Sequence, residues 1–149
     1  MVTFVKILPD SLRPAIKAAF EGDIDLIDKY HVINGNLQIC VEDTERRIQE
    51  VSENDPLEFF ALYYGKVLIG FTVIGDCFLL SFGINIRYRV KDVVLGWWNW
   101  VSKMLNHEFA TWIFKKNTRT IEFLKRNGME IVQDNNDEYY NLVYINKTE

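Results

Sequence analysis

The chain has 149 residues, enough for one ordinary domain with a sizeable core, and its 48% hydrophobic and 26% charged content excludes a disordered chain. A formal charge of −4 and a pI near 5.3 give no general attraction to nucleic acid or acidic membranes. Two cysteines, Cys40 and Cys77, and two histidines, His31 and His107, have no metal-ligand spacing, so no metal is expected and both cysteines read as small buried hydrophobes of a reducing compartment.

Residues 2–8, "VTFVKIL", are β-rich and read as a strand that "PDSLRP" stops. Asp10 or Ser11 can cap a helix carrying Ile16, Ala19 and Phe20, with Pro14 tolerated in its first turn and Gly22 ending it. Asp23 can cap a second short helix with Ile24, Ile27 and Tyr30 on one face. "NGN" at 34–36 reads as a turn, "LQICV" as a short strand, and 44–53 as an exposed helix starting at Thr44. The N-terminus lacks the pattern of a signal peptide, and no apolar run reaches the ~20 residues needed to span a bilayer, so a soluble, intracellular protein is expected.

Beyond Pro56 the pattern changes. Residues 58–64, 67–75 and 77–84 predict an antiparallel meander joined by turns at Gly65–Lys66 and Gly75–Asp76. Val90, Val93, Val94, Trp97, Val101, Met104 and Leu105 recur at three and four and predict an amphipathic helix over 90–105. A strand at 109–114 follows, then a helix capped by Asn117 with Ile121, Phe123 and Leu124 as its apolar face and Gly128 as its left-handed stop. Strands at 129–133 and 138–145 flank a "DNND" turn. The order predicts one α+β domain, 1–149, with a mixed, mostly antiparallel sheet of about six or seven strands flanked by helices. Residues 1–57 form its N-terminal strand and variable helices, and 58–146 its core.

Three stretches of that core carry a resemblance. They are "GKVLIGFTVIG" at 65–75, "YRVKDVV" at 88–94 and "NTRTIEFLKRNGM" at 117–129. Together with the element order they resemble the GNAT acyltransferase superfamily, whose acetyl-CoA pyrophosphate loop reads "YRGKGIG" and whose last motif reads N-x-x-A-x-x-L-Y-x-x-x-G-F. The resemblance implies a GNAT-like fold, and an acetyl-CoA site at Ile84, Arg89, Val90, Lys91, Asp92, Val93, Val94 and Asn117. The third stretch also looks like the GNAT-like proteins of tailed bacteriophages, including an internal virion protein of short-tailed coliphages. That narrower likeness implies a virion-associated or host-cytoplasmic location. It also implies a protein partner (a virion protein, a host protein or a second copy); the acidic charge and short apolar runs lead to no membrane and no nucleic acid being expected.

The departures from the family pattern matter physically. Glycines let a backbone approach a pyrophosphate, and the amides and dipole of a helix N-terminus then hold it. Val90 and Val94 add bulk there, and Asp92 adds a like charge, so the site is expected to hold acetyl-CoA weakly or not at all. Arg87, Arg89 and Lys91 can answer part of this as side-chain phosphate ligands or simply form a solvated edge. The family's proton-donating tyrosine is Leu124 here, which cannot donate. Tyr88, Tyr139 and Tyr140 are candidate substitutes, and Asp76 and Ser81 the only polar residues near the strand expected to line the cofactor. Asn117 reads as a pantetheine contact by resemblance and as an ordinary N-cap by residue type. Lys125 and Arg126 with "FKKNTR" make a basic patch on an acidic chain, which can hold the nucleotide's phosphate, touch DNA or RNA, or simply be a solvated helix face. Trp97, Trp98 and Trp100 crowd one helix, so at least one of Trp98 and Trp100 is expected to face a partner. The expected function is that of an acetyltransferase-like protein with a degenerate cofactor site that acts by protein contact. The alternative is an active acetyl-CoA-dependent N-acetyltransferase.

Overall fold

A computed structural model gives the fold and describes residues 1–23, 36–106, 108–134 and 137–145. Strands run over Val2–Ile7 (β1), Glu58–Tyr64 (β2), Val67–Gly75 (β3), Phe78–Ile84 (β4), Glu108–Phe114 (β5), Met129–Gln133 (β6) and Tyr139–Ile145 (β7). Helices run over Leu12–Phe20 (α1), Leu37–Ser52 (α2), Lys91–Met104 (α3) and Thr118–Arg126 (α4). The seven strands form one sheet in the order β1-β2-β3-β4-β5-β7-β6. Every adjacent pair is antiparallel except β4 and β5. This is the α+β class that the element order predicts.

The sheet is buried on both faces, which explains why its central strands read as unbroken apolar runs. Phe60 and Leu62 of β2 point to the α3 side and pack with Trp97 and Val101. Phe59 and Ala61 of the same strand point the other way and pack with Ile16 and Ala19 of α1 and Val41 and Ile48 of α2. Period-two alternation thus feeds two cores. Gly65 takes a positive φ of 62° in the β2–β3 turn, the conformation a tight hairpin requires. Gly83 serves a different need. A Cβ there would lie 2.9 Å from Ala19 Cβ, so its absence lets α1 sit directly on β4.

Three expectations change. Residues 37–41 are not a strand, and no helix begins at Thr44. Both stretches lie in one sixteen-residue helix, α2, whose Asn36 cap accepts a hydrogen bond from Ile39 N at 3.2 Å. Its buried side is Cys40, Val41, Thr44 and Ile48, spaced as a helix demands. Cys40 is buried as expected, but Cys77 is exposed at a left-handed turn position with φ 66°. Of the two tryptophans expected to include an outward-facing one, Trp98 is enclosed and Trp100 is half-buried. Trp98 is buried among Phe109, Phe123 and Tyr144, and Trp100 stacks on Phe4 at 4.4 Å. One helix buries two tryptophans and half-buries a third because α3 reaches from β1 to β7 across the sheet. Asp23 is buried and pairs with Arg89, and the helix that it is expected to cap lies outside the described residues. The second short helix, His31, the first two residues of "NGN", the middle of "DNND" and His107 lie outside the described residues.

Candidate functional site

β4 and β5 are parallel but pair at only two places, Phe78 with Ala110 and Leu79 with Thr111. The vertex is fastened by the Thr111 hydroxyl, which donates to the Leu79 carbonyl at 2.8 Å, and by Ala110 N, which donates to the Cys77 carbonyl at 3.1 Å. Beyond it the strands diverge. One residue, Leu80, is extra in the β3–β4 register, where Ile74 pairs with Leu79 but Val73 with Ser81. Such a bulge bends a strand and interrupts its ladder. The divergence opens a cleft of about 980 Å³ with Leu80–Ile84 on one wall and Trp112–Phe114 on the other.

The chain leaves β4 through a pinned loop. Asn85 Nδ2 donates to the carbonyls of Ala18 at 2.7 Å and Glu21 at 3.3 Å, while its Oδ1 accepts from Arg87 N at 3.0 Å. Arg89 Nε donates to the Ile84 carbonyl at 2.7 Å, and its Nη2 pairs with the buried Asp23 carboxylate at 2.5 Å. The guanidinium is therefore committed to the fold on two sides. Immediately after it, α3 begins with Val90 at the cap position and no side-chain cap. Val94 N closes the first turn on the Val90 carbonyl at 3.0 Å, which leaves the amides of Lys91, Asp92 and Val93 without an intrahelical acceptor.

The residues drawn from the resemblance separate into three groups. Ile84, Arg89, Val94 and Asn117 line the cleft. Val90, Lys91 and Asp92 are exposed at the start of α3, and none of them lines it. Val93 is buried in the core. Asn117 is spent on capping α4, its Oδ1 accepting from Thr120 N at 3.3 Å. Of the substitutes for the missing proton donor, Tyr139 alone reaches the cleft; Tyr88 packs on Tyr64, and Tyr140 lies under Lys115. Ser81 lines the cleft, whereas Asp76 is exposed in its turn. Leu124 is wholly buried.

Two contributors from α2 escape a reading that breaks this helix in two. Arg47 Nη1 donates to the Tyr139 hydroxyl at 2.9 Å, its Nη2 pairs with Asp43 at 3.3 Å, and its charge lies 5.3 Å from the Phe114 ring centre. Thr44 lines the same end of the cleft with a buried hydroxyl that has no hydrogen-bond partner among the described residues. The helical spacing of Leu37, Cys40, Val41, Thr44 and Ile48 is the signal that finds both. Among the described residues no cluster of His, Cys, Asp and Glu could hold a metal ion, and no helix is long and apolar enough to cross a membrane.

No protein-family model matches the sequence, and no curated protein matches it. Solved structures do match it in shape. PaiA N-acetyltransferase from Thermoplasma acidophilum, in complex with coenzyme A, superposes with a TM-score of 0.72 at 12% identity, over 98% of this chain and 99% of that one. An acetyltransferase from Thermus thermophilus gives 0.71 at 16% identity, over 96% of each chain. A putative acetyltransferase of the GNAT family from Desulfovibrio desulfuricans gives 0.67 at 10% identity, over 97% of each. A seven-stranded sheet that parts between β4 and β5, matched from end to end by such structures, has the GNAT acetyltransferase fold.

Proposed function

We propose that this chain is an acetyltransferase-like protein that retains the cleft for an acyl-coenzyme A but grips its diphosphate weakly, and that it acts mainly through contact with another protein. The observation that carries this reading is the first turn of α3. It combines amides that lack intrahelical acceptors with the exposed carboxylate of Asp92 beside them. A carboxylate there stabilises the helix by ~0.3–1 kcal/mol and opposes a second anion at the same donors. Leu124, buried where the resemblance puts a tyrosine, removes the usual proton donor as well. The likeness of the third stretch, 117–129, to GNAT-like proteins of tailed bacteriophages is the ground for the partner class, a virion or host protein.

A second reading, an active N-acetyltransferase, draws on Tyr139. This hydroxyl lies in the cleft and is held by Arg47. In that case an amine attacks the thioester carbonyl, the C–N bond forms as the C–S bond breaks, Tyr139 protonates the leaving thiolate, and the proton that the amine nitrogen sheds passes to solvent, from which the Tyr139 phenolate is reprotonated. This reading assigns the polarising of the carbonyl oxygen to backbone N–H groups of β4 beside the Leu80 bulge, where the ladder is interrupted.

Thermal unfolding with added coenzyme A separates the two readings. A ligand at a hundred times its Kd adds ~2.7 kcal/mol. The proposed reading expects no shift at micromolar coenzyme A and no thiol release from acetyl-CoA with amines. A shift at micromolar ligand, with turnover lost in Tyr139→Phe, establishes the enzyme instead.

A further inference from the structure

The chain is acidic overall, yet four of its seven arginines line the cleft: Arg47, Arg89, Arg119 and Arg126. The acids there are Asp23, Glu50 and Asp55. Two of the arginines are already engaged, Arg89 by Asp23 and Arg47 by Asp43. Glu50 lies 3.9 Å from Arg46 of its own helix. Arg119 and Arg126 remain. Both are exposed, and neither forms an ion pair with a described residue within 4.0 Å.

Their placement on α4 is regular. Residues 119, 120, 123 and 126 share one helix face, and all four line the cleft. The opposite side, Ile121 and Leu124, is locked in the core, so the helix cannot turn that face away. The two guanidiniums start from positions about 10 Å apart along the axis, near one Debye length at physiological salt. Their fields therefore overlap along the wall of the cleft that α4 supplies. Asp55 is the one lining acid that forms no ion pair with a described residue, and it follows α2 on another element.

We propose that Arg119 and Arg126 form an anion subsite that takes the phosphate groups of a nucleotide-bearing ligand of this cleft, a task that the first turn of α3 performs poorly. The inference rests on the reading of the cleft as one for an acyl-coenzyme A, and it adds side chains that bind phosphate. Guanidiniums suit the task, since each can present two parallel N–H donors to phosphate oxygens without close backbone approach. Glycines are then not needed at the mouth. The solvated-face explanation of the same residues makes the opposite prediction, because charges that merely face water are indifferent to ligand.

The experiment measures binding of four probes by calorimetry: adenosine 3′,5′-bisphosphate, coenzyme A, inorganic pyrophosphate, and uncharged pantetheine. Wild type is compared with Arg119→Gln/Arg126→Gln and with Arg119→Lys/Arg126→Lys. Adenosine 3′,5′-bisphosphate is expected to bind wild type, to weaken as salt rises, and to weaken about ten-fold in the glutamine variant. The lysine variant recovers part of the loss, and pantetheine responds to neither change. Circular dichroism checks that each variant is folded; both sites are exposed, so little stability is at stake. Equal affinity of wild type and the glutamine variant for the bisphosphate overturns the proposal, as does no binding to wild type at millimolar concentration. Pyrophosphate binding as tightly as the bisphosphate assigns the subsite to a free phosphate rather than a nucleotide and overturns the ligand class. Bisphosphate binding that coenzyme A does not improve upon contradicts the acyl-coenzyme A reading while leaving the subsite in place.

Discussion

Replacing Asp23 with alanine is expected to lower the free energy of unfolding by about 2–4 kcal/mol. Asp23 is 2% exposed and its partner Arg89 is 25% exposed at the side chain, so the loss strands a charge that water reaches only in part. That partial access places the estimate below the ~3–5 kcal/mol of a fully buried pair. The effect is local in origin. Asp23 holds Arg89, Arg89 holds the Ile84 carbonyl, and together with Asn85 they tie the end of α1 to the loop that starts α3. Asp23→Asn keeps a hydrogen-bond acceptor and should lose less. Asp23→Ala combined with Arg89→Ala should lose less than the sum of the two, because neither charge is then abandoned. Urea unfolding measures all four. A loss under ~1 kcal/mol for Asp23→Ala, or strict additivity in the double variant, contradicts the pairing.

Trp98→Ala should cost about 3–5 kcal/mol, the range for truncating a large buried ring. Trp98 is 4% exposed and meets the rings of Phe109, Phe123 and Tyr144 at centre distances of 5.7, 5.8 and 5.2 Å. It therefore joins α3 to β5, α4 and β7 at once. Aromatic pairs at these separations add ~0.5–1.5 kcal/mol to simple burial. Trp100→Ala is the matched control. Its ring is only half-buried and packs on Phe4 and Phe60 at the other end of the sheet, so it should cost distinctly less. Denaturant midpoints for the two variants decide the matter, and a larger loss at Trp100 contradicts this account of the core.

The sequence is a good guide to the strands and a poor one to the cleft. Residues 58–64 and 67–75 are legible because apolar side chains on both faces, with Gly65 between them, admit few alternatives to a buried hairpin. Asn117 and Gly128 bracket α4 by local chemistry, and both do what their residue types suggest. α2 is misread because Cys40 and Thr44 do not look like core residues, so the stripe they complete goes unnoticed. The partners in the site are harder still. Arg47 and Tyr139 are 92 residues apart, and Asp23 at the end of α1 meets Arg89 beyond β4, where Gly83 lets the two elements pack closely. No local pattern encodes such meetings. The cleft itself arises from the absence of pairing between β4 and β5 beyond Leu79 and Thr111, a property of two strands together.

The central claim, that the start of α3 grips a diphosphate poorly, is tested by titrating coenzyme A calorimetrically into three proteins. These are wild type, Asp92→Asn, and the combined Val90→Gly/Asp92→Gly/Val94→Gly variant. Wild type is expected to bind with a Kd of roughly millimolar order. Asp92→Asn should gain a few-fold by removing the like charge, and the glycine variant at least about ten-fold, or ~1.4 kcal/mol. Micromolar affinity in wild type, unchanged by either substitution, contradicts the claim.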